Sequence, residues 1–231
     1  MFHVKHPKMS LPDPEMWIPA DRTSLIEDYA DQLTTWNTRV NLVSRSSVDM
    51  IRTQHIPHCL SIAWRRFPSG SRVVDFGTGG GLPAVPLAIC FPEVQFIAID
   101  GTGKKVAALK SMVRSLGLDN VEVLQGRAED WDGHADYSVS RAAASLFKLW
   151  QWSSRIIARA PSGGEVTPAG SETPAGSRLF WTPGLICLKG GDISKEVRKV
   201  SKRARVQSWS LPEIVSGATD PEKYILHASA L

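Results

Sequence analysis

The amino-acid sequence predicts an α/β fold, with a mostly parallel central sheet covered by helices on both faces and a helical cap in front of it. Three observations carry this expectation. From Arg72 onward, short β-branched runs alternate with longer segments whose apolar residues recur at spacings of three and four, the pattern of βαβα chains with parallel strands. The first of these runs ends in Asp75-Phe-Gly-Thr-Gly-Gly-Gly-Leu-Pro83, where alternate glycines (Gly77, Gly79, Gly81) strip side chains from one turn and let the backbone approach a bound small molecule. Before Arg72 the periodicity is helical. A chain of 231 residues is long enough for one large domain, or for one domain with a small appendage.

Taken in order, residues 1–20 hold Pro7, Pro12, Pro14 and Pro19, which interrupt any helix, and read as a poorly ordered lead-in. Met1-Phe-His-Val-Lys-His6 back-translates as ATGTTTCACGTGAAACAT, its own reverse complement, and so resembles a bacterial chromosome-partition site; His3 and His6 are then not expected to be ligands. Asp21 and Thr23 can cap an amphipathic helix that carries Leu25, Tyr29, Leu33 and Trp36 and ends near Asn37. Trp36-Asn37-Thr-Arg-Val-Asn41-Leu-Val43 reads as a turn held by asparagine side chains. Residues 48–56 and 59–67 read as two short helices broken at Pro57, and together these pieces make a cap over residues 21–69.

The main domain is expected over 70–231, with strands at 72–76, 95–100, 121–125, 135–140 and 184–189. Helices fall at 83–91, 103–116 and 145–160, with Pro83 and Pro86 in a first turn where a missing N–H is tolerated, and Gly117-Leu118 forming a Schellman-type stop. Residues 161–183 are rich in Gly, Pro, Ser and Thr and nearly repeat Thr-Pro-Ala-Gly-Ser at 167–171 and 173–177, the mark of a flexible insertion. Within it, Leu179-Phe-Trp181 reads as a short strand or a packing contact. The last two strands are expected at 205–210 and 223–229.

Composition narrows the class. Cys59, Cys90 and Cys187 are an odd number without metal-like spacing, as expected of buried reduced thiols. No apolar run approaches the roughly 18 residues of a membrane span, and no hydrophobic signal core opens the chain. A soluble cytoplasmic monomer with no membrane partner and no metal is expected. His55 and His58 stand three apart but lack a third ligand, so a structural or surface role is expected of them. The net charge of +4 is mild, yet between Lys189 and Arg205 seven basic residues face only Asp192 and Glu196. Lys189, Lys195, Arg198, Lys199, Lys202 and Arg203 are therefore candidates for RNA phosphate contact, the alternative being a solvated helix face.

The glycine turn is not a nucleotide-triphosphate loop, because Leu82-Pro83 stands where a Lys-Ser/Thr pair is needed. Nor does it match the dinucleotide fingerprint, whose last glycine is replaced by Leu82 and which Asp75 would repel through the pyrophosphate. An acid in front of the turn suits an ammonium, and backbone N–H groups suit a carboxylate. The amino-acid end of S-adenosylmethionine carries both. Asp100, ending the second strand, is placed to accept from the ribose hydroxyls. A plain turn and a dinucleotide site stay open as alternatives. The turn, Asp100, Gly126-Arg-Ala-Glu129 and Ser140-Arg141 all lie at carboxyl ends of strands, where such sheets bind ligands. For Asp75 and Asp100 the other reading is strand-end capping; for Arg141 it is an ion pair to Glu129 or Asp100, and for Arg127 simple surface cover.

In combination and order, several segments resemble the bacterial small-subunit ribosomal RNA guanine-N7 methyltransferase G family, also called glucose-inhibited division protein B. They are Trp36-Asn37 with Asn41-Leu42, Asp75 to Pro83 followed by Pro86-Leu-Ala-Ile89, and Asp100 with Gly103-Lys104-Lys105. Gly126-Arg-Ala-Glu129, Ser140-Arg141-Ala142 and Leu188-Lys189-Gly190 complete the set. The resemblance covers residues 25–146 well and the rest loosely. Ala84, His58, Gly101-Thr102 and the long 161–183 segment depart from the family's pattern. The resemblance implies a Rossmann-like class I S-adenosylmethionine-dependent methyltransferase acting on N7 of one guanine in 16S ribosomal RNA, with naked RNA or the small ribosomal subunit as partner. It implies cofactor contacts at Gly77, Leu82, Ala128, Glu129 and Arg141, and places Lys189 near RNA. A methyltransferase of another substrate class, or a non-catalytic RNA-binding protein with a retained pocket, are the alternatives.

Overall fold

The computed structural model describes residues 13–141, 143–157, 180–218 and 220–231. The partition-site hexapeptide, most of the lead-in, and residues 158–179, which take in the end of the expected 145–160 helix and residues 161–179 of the insertion, lie outside the described residues. Strands β1 (Arg72–Phe76), β2 (Gln95–Asp100), β3 (Val121–Gln125), β4 (Tyr137–Arg141), β5 (Gly184–Gly190), β6 (Arg205–Ser210) and β7 (Lys223–Ser229) form one sheet in the order β3-β2-β1-β4-β5-β7-β6. Neighbours pair in parallel except β7, which runs antiparallel to both β5 and β6. The strand order reverses between β1 and β4. Connections there leave toward opposite sides of the sheet, so the loops after these two strands part and open a crevice at their carboxyl ends.

Side-chain alternation explains the layers. Val73, Phe96, Ala98, Tyr137 and Val139 point to one face and join α1 (Thr23–Asn37), α2 (Ile56–Leu60), α3 (Ala84–Cys90) and α4 (Gly103–Ser115) in the largest core. Val74, Phe76, Ile97 and Ile99 point to the other face, beside Ile156 of α5 (Leu146–Ile156). Farther along that face, Leu185, Cys187, Leu226 and Ala228 pack with α5 and with Val200 of α6 (Ser194–Val200). A short α7 (Leu211–Ile214) follows β6, opened by a capping box of Ser210 and Glu213. Central strands covered on both faces read as continuous apolar runs, which is why β1 and β2 were legible in the sequence. Buried Asn120 presents its amide nitrogen to the carbonyls of Ala88, Phe91 and Val94, each at 3.1 Å, and so ties the end of α3 to the start of β2. None of the described helices is long and apolar enough to cross a membrane.

Several local expectations are met and others corrected. Asn37 Oδ1 accepts from the backbone N–H of Leu42 (2.8 Å) and Val43 (2.9 Å), the side-chain-held turn the sequence predicts. At the end of α4, Leu118 N–H donates to the Val113 carbonyl and Gly117 N–H to that of Arg114, both at 3.2 Å, the Schellman pattern. In contrast, α1 has no side-chain cap; a short 3-10 turn over Ala20–Arg22 leads into it instead. Residues 13–20, expected within a disordered lead-in, hold a 3-10 turn at Pro14–Trp17, because Trp17 and Ile18 are buried in the core. Pro57 does not break the chain into two helices. A π-type turn over Ile51–His55, in which Ile56 N–H donates to Ile51, widens the backbone ahead of the proline ring, and helical structure runs on from Arg45 to Trp64. β4 begins at Tyr137, with Ala135 left as an isolated bridge to Ile157. Phe180 bridges Arg66, and Trp181 is buried with its indole N–H donating to Ile62.

The N-terminal helical segment is stitched to the glycine turn. The Tyr29 hydroxyl donates to the Gly80 carbonyl at 3.0 Å with both groups buried, and a Cβ on Gly80 would lie 2.5 Å from Leu33 Cδ1. Arg52, on the helical run before α2, pairs with Glu27 and Asp31, one turn apart on α1. Replacing Tyr29 by Phe leaves the Gly80 carbonyl buried without its donor. Urea denaturation is expected to show a loss of about 1–3 kcal/mol with an unchanged m-value; an unaltered midpoint would show that this bond does not hold the two segments together.

Candidate active site

The turn after β1 is lashed to the end of β2. The N–H groups of Gly77 and Thr78 both donate to the Ile99 carbonyl (2.9 and 3.0 Å), and Gly79 N–H donates to Asp100 Oδ2 (3.0 Å). Gly77 has φ +74°, and a Cβ there would stand 2.6 Å from Ala143 Cβ, so only glycine lets the loops after β1 and β4 meet. Asp75 lies fully buried behind this turn. Its Oδ2 accepts from Thr78 Oγ1 (2.7 Å) and from Ala84 N–H (3.2 Å), joining the turn to α3. Burial pushes its carboxyl up to about 7, against the opposing pull of those hydrogen bonds and of Arg141. Its Oδ1 has no partner among the described residues.

The crevice at the strand-order reversal contains a cavity of about 370 Å³, within the size range of small-molecule sites. Of the residues expected to touch a cofactor, Gly77, Gly79, Leu82, Asp100 and Arg141 line it. Asp75, Gly81, Ala128 and Glu129 do not. Asp75 braces the turn from behind, and Gly81 faces Val85 and Leu109, which a Cβ would meet at 2.6 and 2.8 Å. Ala128 packs against the Val74–Phe76 face of the sheet. Glu129 is exposed, 3.8 Å from Arg127, and its carbonyl accepts from Arg155. Arg127 itself is exposed. The remaining lining residues include Leu42 and Lys105, which sequence reasoning did not assign. Lys105 had a signal, since Gly103-Lys104-Lys105 follows the acidic strand end. Leu42 belonged to the Asn41-Leu42 segment of the resemblance, but nothing in the sequence placed it at the site; a fold in the helical cap brings it over the turn.

The cavity's donor set fits S-adenosylmethionine. Asp100 is fixed by Gly79 N–H and, at 2.8 Å, by Thr102 N–H, which leaves one lone pair on each oxygen for a ribose hydroxyl. The N–H groups of Gly77, Thr78, Gly79, Gly81 and Leu82 already donate within the protein, so of this turn only the Gly80 N–H, which has no acceptor among the described residues, is left for a carboxylate. Lys105 and Arg141 are the cations on the cavity wall that can meet one.

Arg141 forms no ion pair with Glu129 or Asp100 among the described residues. It also lines a second, larger cavity of about 960 Å³, together with His55, His58, Lys189, Glu196 and Lys223. Burial, then the Arg141 charge, pushes the His55 imidazole down to about 4 and that of His58 to about 3, so both are neutral near pH 7. Lys189 is not an open phosphate contact. Its side chain is only 12% exposed, and Nζ donates to the Ala144 carbonyl (2.6 Å) and pairs with Glu196 (3.1 Å). Glu196 also accepts from Leu146 N–H (2.7 Å), so α6 clamps the loop that follows Arg141. Lys195, Arg198, Lys199, Lys202 and Arg203 are exposed on and just beyond α6, with Lys199 and Arg203 leaning on the Phe147 ring at 4.1 and 5.1 Å. The three cysteines are buried, and no group of three or more metal-binding side chains occurs among the described residues.

Comparison with known proteins agrees with this geometry. The profile of the GidB family, described as rRNA small subunit methyltransferase G, matches residues 22–163. Ribosomal RNA small subunit methyltransferase G of Salinibacter ruber is 44% identical over 201 residues, covering 86% of this chain and 87% of that protein. The protein of the same description from Chlorobaculum tepidum is 38% identical over 213 residues, covering 89% of this chain and 88% of its own. Among solved structures, ribosomal protein L11 methylase from Lactobacillus delbrueckii subsp. bulgaricus superposes with a TM-score of 0.52 at 16% identity, covering 77% of this chain and 78% of that one. A point mutant of MtNAS in complex with S-adenosylmethionine gives a TM-score of 0.54 at 13% identity, covering 90% and 72%. At these identities the two structures speak for the fold alone, a Rossmann-like α/β sheet. The chain belongs to the rRNA small subunit methyltransferase G (GidB) family and is an S-adenosylmethionine-dependent methyltransferase.

Proposed function

We propose that this enzyme methylates N7 of a guanine in 16S ribosomal RNA, working in the cytoplasm as a single chain that carries both cavities. One observation supports this most: Arg141 stands in the wall shared by the cofactor-sized cavity and the larger cavity, where a base can meet a methyl donor. Bound in the smaller cavity, S-adenosylmethionine supplies a methyl group activated by a positively charged sulfur. Asp100 takes the ribose diol, Lys105 and Arg141 take the carboxylate, and the Gly77 and Gly79 carbonyls take the ammonium, having no donor among the described residues. Guanine N7 has an in-plane lone pair and no proton, so no side chain has to act as a base. The protein's part is alignment and exclusion of water, which together lower such barriers by several kcal/mol. The exposed cations of α6 hold the phosphates, since its first turn and the two residues before it reach the rim of the larger cavity through Asp192, Ile193 and Glu196.

The deciding experiment incubates small subunits and naked 16S RNA, both from a strain lacking the gene, with methyl-labelled cofactor and maps the modified base. Label on N7 of one guanine is expected; label absent from 16S RNA refutes the assignment. Asp100→Ala should weaken cofactor binding by roughly 1–3 kcal/mol in calorimetry, the scale of hydrogen bonds to a charged group. Unchanged affinity would remove the ribose role. For the basic face, Arg198→Ala with Lys202→Ala should raise KM for RNA and flatten the dependence of log affinity on log salt by roughly 0.7–0.9 per lost phosphate contact. An unaltered slope would return these residues to ordinary surface charge.

A further inference from the structure

One oxygen of Glu196, Oε2, takes two donors: the Leu146 N–H at 2.7 Å and Lys189 Nζ at 3.1 Å. Lys189 donates in turn to the Ala144 carbonyl at 2.6 Å, and its side chain is only 12% exposed, so salt and solvent compete little for these contacts. Leu146 opens α5, and its N–H is among those that a helix start leaves without an internal acceptor; a carboxylate is the partner such a group favours. Residues 144 and 146 are thus pinned on either side of Ser145. Just ahead of them Ala143 lines the smaller cavity, close against Gly77, and Arg141 lines both cavities. A shift of this segment moves a wall of the cofactor site.

α6 has little stability of its own. It has seven residues and fully buries only Val200, and isolated helices shorter than about 12 residues are marginal in water. Lys195 stands three residues before Arg198 and four before Lys199, spacings at which like charges repel along a helix. Lys199 and Arg203 lean on the ring of Phe147, the residue after Leu146. A phosphate backbone laid over these cations removes the repulsion and steadies the helix that carries Glu196.

We propose that Glu196 is a positioning residue for methyl transfer, holding residues 143–146 where they wall the cofactor cavity, and that through it RNA lying on α6 tightens cofactor binding. The coupling rests on the RNA reading of α6 above; the positioning does not. Glu196 itself touches neither the cofactor nor the phosphates. It acts through the Leu146 N–H and through Lys189, which place Ala143 and the segment after Arg141. Linkage makes the effect reciprocal, so bound cofactor tightens RNA by the same factor.

The test measures binding of S-adenosylhomocysteine, which fills the cofactor cavity without a methyl to give, by equilibrium dialysis on the full chain with and without 16S RNA. In the wild type, RNA is expected to lower its dissociation constant by about fivefold or more. Glu196→Ala should raise that constant roughly tenfold in the free enzyme and abolish the RNA effect, the scale of losing hydrogen bonds to a charged group. RNA affinity of the cofactor-free variant should stay within about twofold of the wild type, because its phosphate contacts are kept. Glu196→Gln, whose amide oxygen can take the place of Oε2, should stay within about threefold of the wild type, a neutral acceptor being weaker than a charged one. Glu196→Asp, one methylene short, should resemble the alanine variant, and serves in its stead should alanine prevent folding. A role through charge alone predicts the reverse order of glutamine and aspartate, and finding it refutes the positioning geometry. Wild-type affinity for S-adenosylhomocysteine in the alanine or aspartate variant overturns the proposal. RNA that binds the wild type yet leaves this affinity unchanged overturns the coupling. RNA that does not bind sinks the RNA reading of α6 and the coupling with it, while the free-enzyme affinities still decide the positioning role.

Discussion

Two N–H groups converging on one carbonyl set the position of everything at this site. Because Gly77 and Thr78 both donate to Ile99, the turn after β1 cannot swing away from the end of β2, and Gly79 is delivered to the carboxylate of Asp100. A single side chain at Gly77 would collide with Ala143 and push the loops after β1 and β4 apart. The crevice exists because the strand order reverses there, but its shape is set by this backbone lashing. Asp75 completes it from behind by holding Thr78 and Ala84. Its burial is tolerated because the carboxyl sits near neutrality in its titration and two hydrogen bonds support the charged form.

The second determinant comes from outside the βαβ core. α1 and the helical run after it press Tyr29, Leu33 and Leu42 onto the glycine turn and carry His55 and His58 to the neighbouring cavity. On the opposite side, α6 turns its cations outward and uses Glu196, with Lys189 of β5, to fix the loop after Arg141. The helix that carries the exposed cations is thus hydrogen-bonded to the segment that shapes both cavities. An ion pair that is mostly desolvated and shares its charges with backbone groups holds geometry better than an exposed one, where solvent and salt compete.

Much of this was legible in the residues. Apolar runs buried on both faces announced β1 and β2, Gly117-Leu118 announced the end of α4, and the acid that closes β2 announced a contact at the cavity. Elements went wrong where one residue's habit was overridden by its surroundings. Pro57 reads as a break, yet a widened turn just ahead of it absorbs the ring. Lys189 reads as a free cation, yet α6 folds over it. Trp17 and Ile18 sit among prolines that suggest disorder, yet the core takes them in.

The sequence by itself determined the α/β order, the glycine turn with Asp100 beside it, and the basic stretch on α6, because each depends on residues close in the chain: periodicity, conformational freedom and local charge. Only the tertiary structure decided which side chains face which cavity. It moved Asp75 behind the turn, removed Ala128 and Glu129 from the cavity, brought in Leu42 and Lys105, and set Arg141 between two cavities with a pair of neutral histidines beyond it. The physical reason is that burial and partnership are properties of packing between distant segments. A histidine's charge or a carboxylate's free lone pair is fixed by what the rest of the chain lays against it.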